Sequence, residues 1–353
     1  MKTGELSGYR QYIARKWLCL AGALALLILA ALWSVSAGSA GLTVTDILQA
    51  LVHKGESKNS TILWNVRLPR VCTAIVIGMG LAVTGCVMQN VLRNPMASAS
   101  TLGVSQGACF GAAVAIVFLD GGIQVGNTVA NFSVTNIPTV SLMAFAGGMV
   151  TTIVILALSK GRRTTPAVMV LSGTALSSVF SGMTTLIQYF ADDVQTASLV
   201  YWTFGSLNKA NWQQIGIMAV TVLMGFLYFY YHRQHYNAME AGTATAKSLG
   251  VPVDRLVLVS MILCALMASV SVAFAGSIGF IGLIAPHIMR KFLGNDYRFL
   301  LPGSALGGAV LLLLADVASR SILPPVVLPI GALTSFLGAP LFLYLCLKGG
   351  KQK

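Results

Sequence analysis

The chain has 353 residues, of which 56% are hydrophobic and only 9% charged, with a mean hydropathy of +0.79 and a formal net charge of +13. A water-soluble domain carries about 25% charged residues, so these values exclude a globule wetted on every side and imply a chain that lives largely in lipid. Its 23 basic residues are scattered over many short segments and form no stripe of the kind that grips nucleic acid.

A backbone in hydrocarbon must satisfy its own N–H and C=O groups, so crossing takes about 20 residues of continuous helix. In chain order, apolar runs near that length are predicted at 17–36, 71–91, 102–119, 137–158, 167–190, 214–231, 256–275, 278–293, 299–318 and 328–347. The expected fold is an all-α membrane protein of about ten transmembrane helices, a single domain over 1–353 with an outer loop at 37–70 and a large cytoplasmic loop at 232–255. The run at 278–293 is the weakest, because it is short and holds Gly279, Gly282, Pro286 and His287. It is expected to be broken or tilted, and losing it would reverse the sense of every later span.

The first run follows Arg15 and Lys16 and ends on small residues, the outline of a secretory signal. It exceeds the roughly 7–15 residue apolar core of such signals and reads as a span. Cytoplasmic loops carry the excess of Lys and Arg. With the N-terminus inside, 17 of the 23 basic residues fall on one side and 6 on the other, namely Lys54, Lys58, Arg67, Arg70, Lys209 and Arg320. That split predicts a multi-pass protein of the cytoplasmic (inner) membrane with both termini in the cytoplasm.

The six cysteines, Cys19, Cys72, Cys86, Cys109, Cys264 and Cys346, fall in or beside these runs, with no CxxC pair and no clustered histidines. They read as small packing residues and not as disulfides or metal ligands. No cofactor or metal is expected on this chain.

Arg67-Leu68-Pro69-Arg70 closes the outer loop, and Arg320 follows another span on the same side. Guanidinium forks suit carboxylates on a docking protein; arginines at span ends also anchor lipid headgroups. The run at 167–190 is less apolar than a lipid-facing helix, with Ser177, Ser181, Thr184 and Gln188 on one helical face. Such a stripe lines a water-filled path or packs closely on a neighbour, and the large amide of Gln188 favours the path.

In the large cytoplasmic loop, Gly242-Thr243-Ala244-Thr245-Ala246-Lys247-Ser248-Leu249-Gly250 predicts a short helix between two glycines, ended by Gly250 at C′ and by Pro252. Gly242, Lys247, Ser248, Leu249 and Gly250 are its candidate contact residues. Ala246-Lys247-Ser248 echoes a phosphate-binding loop, but alanine stands where that loop needs glycine. Any ATP must therefore be bound by another chain. Gly103-Val104-Ser105-Gln106-Gly107, with His287 in another span, spells the outline of an intramembrane serine protease. In a chain with 36 glycines such spacing also arises from helix packing.

The same residues carry a resemblance. Arg67-Leu68-Pro69-Arg70, Gly85-Cys86-Val87-Met88-Gln89, Arg93-Asn94-Pro95-Met96-Ala97, Leu102-Gly103-Val104-Ser105-Gln106-Gly107-Ala108, Ser248-Leu249-Gly250-Val251, Gly279-Phe280-Ile281-Gly282-Leu283-Ile284-Ala285-Pro286-His287 and Leu328-Pro329-Ile330-Gly331 occur in order along nearly the whole chain. The chain resembles the FecCD permeases of ABC importers for iron chelates, haem and vitamin B12. The resemblance implies a type II ABC importer permease fold and ATP-driven alternating access. It also implies pairing with a second permease, identical or paralogous, two ATPase subunits holding the ATP and magnesium, and a substrate-binding protein above. By resemblance Arg67, Arg70 and Arg320 dock the binding protein, 167–190 lines the path, Thr164 and Thr165 lie near the inner gate, and 242–250 couples to the ATPase. Ser105 then belongs to a packing motif and His287 to packing or capping. The sequence departs from many family members after Gly242, where Thr243-Ala244-Thr245 replaces acidic residues. A ferric siderophore is the commonest cargo, with haem, cobalamin and oxyanions behind it.

A secondary carrier is the competing transporter class. Such carriers place carboxylates at the membrane midplane, whereas Asp316 is the only acid inside a predicted run, near its outer end and four residues before Arg320. A local i,i+4 pair is the simpler reading.

Overall fold

The computed structural model describes residues 3–37, 58–119, 123–125, 132–134, 137–160, 166–324 and 326–349. Thr164 and Thr165 lie outside the described residues.

Every predicted apolar run contains a helix. Helix α1 is Thr3–Ser36, α2 is Lys58–Ile62 and a π-helical turn follows at Leu63–Arg67. It leads straight into α3 (Leu68–Val91), then α4 (Val104–Phe118) and α5 (Ile137–Lys160). Next come α6 (Pro166–Phe190), α7 (Asp193–Thr203) and α8 (Trp212–Tyr231). The second half holds α9 (Arg233–Glu240), α10 (Thr243–Ser248), α11 (Val253–Ala275), α12 (Ile281–Leu293), α13 (Tyr297–Ser321) and α14 (Ile330–Gly349). Between α4 and α5, strands β1 (Ile123–Val125) and β2 (Phe132–Val134) pair antiparallel. Among the described residues seven helices are long and apolar enough to span a membrane, with 104–118 and 330–340 shorter apolar helices.

The segment read as an outer loop differs at its end, because residues 58–70 are helical and extend α3 outward. The loop-like composition there hid a helix whose entry angle is fixed by Trp212 Nε1 donating to Trp64 O at 3.0 Å. The short run also differs from a full span. Helix α12 begins only at Ile281 and has 13 residues, about 20 Å of helix against a hydrocarbon core of about 30 Å. Residues 276–280 are non-helical, and Phe280 stands in the left-handed region at φ +65°. Irregular backbone survives at membrane depth only when protein covers it, and Ile278 and Ile281 are buried.

Helices α3 and α13 form the centre, with α11, α12 and α1 around them, while α4, α5 and α6 make a second layer. Without a hydrophobic drive between helices in lipid, close packing depends on small residues. Gly78 meets Gly308 where α3 crosses α13, Gly85 meets Gly282 where α3 crosses α12, and Gly107 meets Gly147 where α4 crosses α5. A Cβ at Gly85 would run into the carbonyl of Gly282.

The bundle has two poles. One gathers the end of α1, the starts of α3 and α8, and the end of α13. At the other, the end of α3 meets α9, α12 and the start of α13. Helix α14 starts at the first pole, where Gly331 N donates to Phe204 O at 3.1 Å, and passes Phe280 at Gly338 on its way to the second. The short α12 thus still returns the chain, and the sense of α13 and α14 is the one that ten crossings require.

Candidate functional site

At the first pole Asp316, wholly buried, is held by two arginines. Arg70 Nε donates to its Oδ1 at 2.7 Å and Arg320 Nη2 to its Oδ2 at 2.9 Å. Arg320 also donates to Ala37 O at 2.7 Å and to Ser34 Oγ at 2.9 Å, and Arg67 Nη1 to Val35 O at 2.6 Å. The last carbonyls of a helix have no partners within it and carry the negative end of its dipole. Arg67 and Arg320 satisfy those of α1, so the cluster clasps α1, α3 and α13 together. The expected Arg320–Asp316 pair is present. Arg70 reaches the same carboxylate from 246 positions away, which spacing alone could not show. Arg67 and Arg70 do not project as a free fork; both are buried with their guanidinium groups turned inward.

Helix α6 is the least covered of the long spans. Of the predicted stripe, Ser181 is exposed, Ser177 and Gln188 are half-buried, and Thr184 faces the bundle. Ser177 lies where α6 meets Gly103 at the start of α4. The exposed polar edge is a neighbouring stripe, Thr174, Ser178, Ser181 and Thr185, at the same offsets of 0, 4, 7 and 11. Beyond it Leu171, Val179, Met183, Leu186 and Phe190 expose an apolar face suited to lipid. Most of these hydroxyls donate into their own helix, Thr174 to Leu171 O at 2.8 Å, Ser178 to Thr174 O at 3.2 Å and Thr185 to Ser181 O at 3.0 Å. Groups so satisfied wet a surface without gripping a solute. Thr174, Ser178 and Thr185 lie outside the predicted stripe because periodicity finds a polar sector but not its edge against protein.

At the second pole α10 is the predicted short helix. Gly242 precedes it at φ +117° and Gly250 follows at φ +80°. Gly250 N donates to Lys247 O and Val251 N to Ala246 O, both at 3.0 Å, the paired bonds of a Schellman ending. Ala246 plugs into the protein, while Thr245, Lys247, Ser248, Leu249 and Gly250 are exposed. Lys247 meets Asp254 at 3.5 Å, with both side chains largely in solvent, a pairing worth little that leaves its charge available.

Behind α10, helix α9 is tied to the core. Asn90 at the end of α3 donates to Tyr236 O at 3.1 Å and Glu240 Oε2 at 3.0 Å. Asn237 donates to Asp296 Oδ1 at 3.0 Å and accepts from Tyr297 N at 2.8 Å. Tyr236 and Ser260 share a hydroxyl contact of 2.7 Å, and Tyr297 OH donates to Cys86 O at 3.0 Å. Rigid bonds therefore run from the exposed α10 through α9 into α3, α11 and α13. Sequence reasoning missed Asn90 and Asn237; Gln89-Asn90, ending an otherwise apolar run, was the available signal.

Ser105 is buried in the first turn of α4 between Gly103 and Gly107, both at helix crossings. Among the described residues no His, Cys, Asp or Glu group is placed to hold a metal, and Cys19, Cys72, Cys86, Cys109 and Cys264 are free thiols.

The family model of the FecCD transport family matches residues 26–348. The chain belongs to that family. It is 49% identical over 344 residues to a candidate ABC transporter permease of Methanocaldococcus jannaschii, MJ0087, covering 98% of each chain. It is 34% identical to the hemin transport system permease protein HmuU of Yersinia pestis, over 94% of this chain and 95% of that one. Among solved structures, an inward-facing conformation of a candidate metal-chelate type ABC transporter superposes with a TM-score of 0.79 at 30% identity, covering 94% of this chain and 99% of that one. The fold is therefore that of a type II ABC importer permease. FecCD permeases are integral membrane transport subunits and not enzymes, so the protease outline at Ser105 is a packing motif.

Proposed function

We propose that this chain is the permease of an ABC importer that carries an iron chelate, a ferric siderophore first and haem or cobalamin next, by ATP-driven alternating access. The observation that carries the reading is the rigid connection from the exposed α10 to the core helices through Asn90 and Asn237. An exposed short helix on a stiff mount is what a separate motor needs in order to push. In this reading Gly242, Lys247, Ser248, Leu249 and Gly250 seat on an ATPase subunit that binds the ATP and magnesium. Two permeases, identical or paralogous, face each other across the path, with Ser177, Ser181, Thr184 and Gln188 joined by Thr174, Ser178 and Thr185. Thr164 and Thr165 belong to the inner gate. The termini and the coupling pole lie in the cytoplasm, as the basic residues favour.

The clasp pole receives the substrate-binding protein. Three arginines against one aspartate leave a net positive field there, which steers acidic side chains toward the rim even though Arg67, Arg70 and Arg320 hold the fold. Asp316 is occupied by two arginines and unavailable as a proton or sodium carrier, which favours an external motor over an ion gradient. Co-reconstitution with the ATPase and binding protein tests the reading: ATP-dependent uptake of radiolabelled iron chelate is expected, and uptake indifferent to the ATPase would refute it.

A further inference from the structure

At the coupling pole a cavity of about 410 Å³ opens between α8, α9 and α11, lined by Tyr228, His232, His235 and Arg255 over a floor of Pro252 and Leu256. Its polar groups are cationic or aromatic, and no carboxylate lines it. Asp254 is turned to solvent, where it meets Lys247 loosely at 3.5 Å, and Glu240 accepts from Asn90. Arg255 is exposed and forms no ion pair among the described residues. The His232 ring lies 4.3 Å from that of Tyr228, with its Nδ1 on Tyr228 O at 3.0 Å, so Nε2 is the nitrogen left for a ligand. His235 Nδ1 is buried and unpartnered. One turn away the Arg233 guanidinium stacks 4.7 Å over Tyr230, adding positive charge.

The surface beside the cavity is apolar. Val220, Met224, Leu227 and Tyr231 on α8, and Leu258 and Ile262 on α11, are exposed along the helices that rise from it. Tyrosines and cations at the end of an apolar helix face are the composition of a lipid headgroup zone.

We infer that this cavity holds the phosphate of an anionic phospholipid from the leaflet at the coupling pole, with Arg255 meeting the phosphate beside the His232 ring and the acyl chains lying on the exposed faces of α8 and α11. The site sits at the junction between the membrane span α8 and the coupling segment. A lipid there would brace α9 and α10 against the bundle.

Native mass spectrometry of the full chain, titrated with phosphatidylglycerol or phosphatidylcholine, tests this against Arg255→Gln and the double variant Arg255→Gln with His232→Gln. Wild type is expected to retain phosphatidylglycerol preferentially, with retention falling about fivefold for Arg255→Gln. Millimolar inorganic phosphate should not displace the lipid. Equal retention of the two lipids, or retention unchanged by Arg255→Gln, would overturn the inference. So would ready displacement by free phosphate, or weakened ATPase binding with lipid retention intact, which would assign the cavity to an acidic side chain of the ATPase. Arg255 is exposed, so the single variant carries the comparison if the double variant folds poorly.

Discussion

Arg70 and Asp316 stand 246 positions apart in the chain and 2.7 Å apart in space. Their contact, shared with Arg320, fastens the start of α3 to the end of α13 while Arg67 and Arg320 fasten α1 to both. Removing one member of a buried ion pair strands the other, at about 3–5 kcal/mol. Asp316→Leu is expected to lower the thermal unfolding temperature of the purified protein sharply. Adding Arg70→Met should recover part of the loss, because one stranded charge is gone. Thermal unfolding followed by tryptophan fluorescence measures both.

The crossing of α3 and α12 leaves no room for a side chain at Gly85, whose Cβ would strike the backbone of Gly282. Backbone cannot move aside as a flexible side chain can. Gly85→Val is expected to cost more than the usual 1–3 kcal/mol of overpacking, roughly, whereas Gly182→Val, with nothing near its Cβ, should be tolerated. Folded yield by size-exclusion chromatography separates the two.

Gly250 has open space around it and a Cβ at Gly242 would meet only the Thr245 hydroxyl at an ordinary 3.8 Å, so substitution at either acts mainly through the backbone. Alanine at either left-handed position costs about 1 kcal/mol and distorts α10 while the distant bundle stays intact. Gly242→Ala and Gly250→Ala are expected to preserve the fold and reduce the ratio of solute imported to ATP hydrolysed. Normal stoichiometry in proteoliposomes would remove α10 from the coupling route.

The exposed edge of α6 offers a contrast between wetness and stability. Ser178→Leu with Thr185→Leu replaces groups that contact only their own helix and solvent, so unfolding should shift by no more than about 0.5 kcal/mol. Uptake should nevertheless fall severalfold, because an apolar band would cross the path. Uptake at wild-type rate would place the path elsewhere.

The helices were legible in the sequence because apolar length is a direct consequence of bilayer thickness, and so was α10, whose bounding glycines encode its backbone. The outward extension of α3 at residues 58–70 was not, since Lys58-Asn59-Ser60-Thr61 has the composition of a loop. Helix α7 was also missed, although Asp192 and Gln195 form the capping box that announces it. The Arg320–Asp316 pair was legible from its i,i+4 spacing, but the α1 carbonyls and the reach of Arg70 to Asp316 arise from tertiary contacts that no local pattern carries. The same holds for Asn90, whose role depends on where α9 folds back.

The most direct test of the account is Asn90→Leu in vesicles containing the permease, its ATPase and its binding protein, with iron-chelate uptake and ATP hydrolysis measured together. Continued hydrolysis with uptake largely lost is the predicted result, since the motor would remain while its linkage to α3 is cut. Uptake that survives Asn90→Leu in proportion to hydrolysis, or accumulation by the permease alone without ATP, would contradict it.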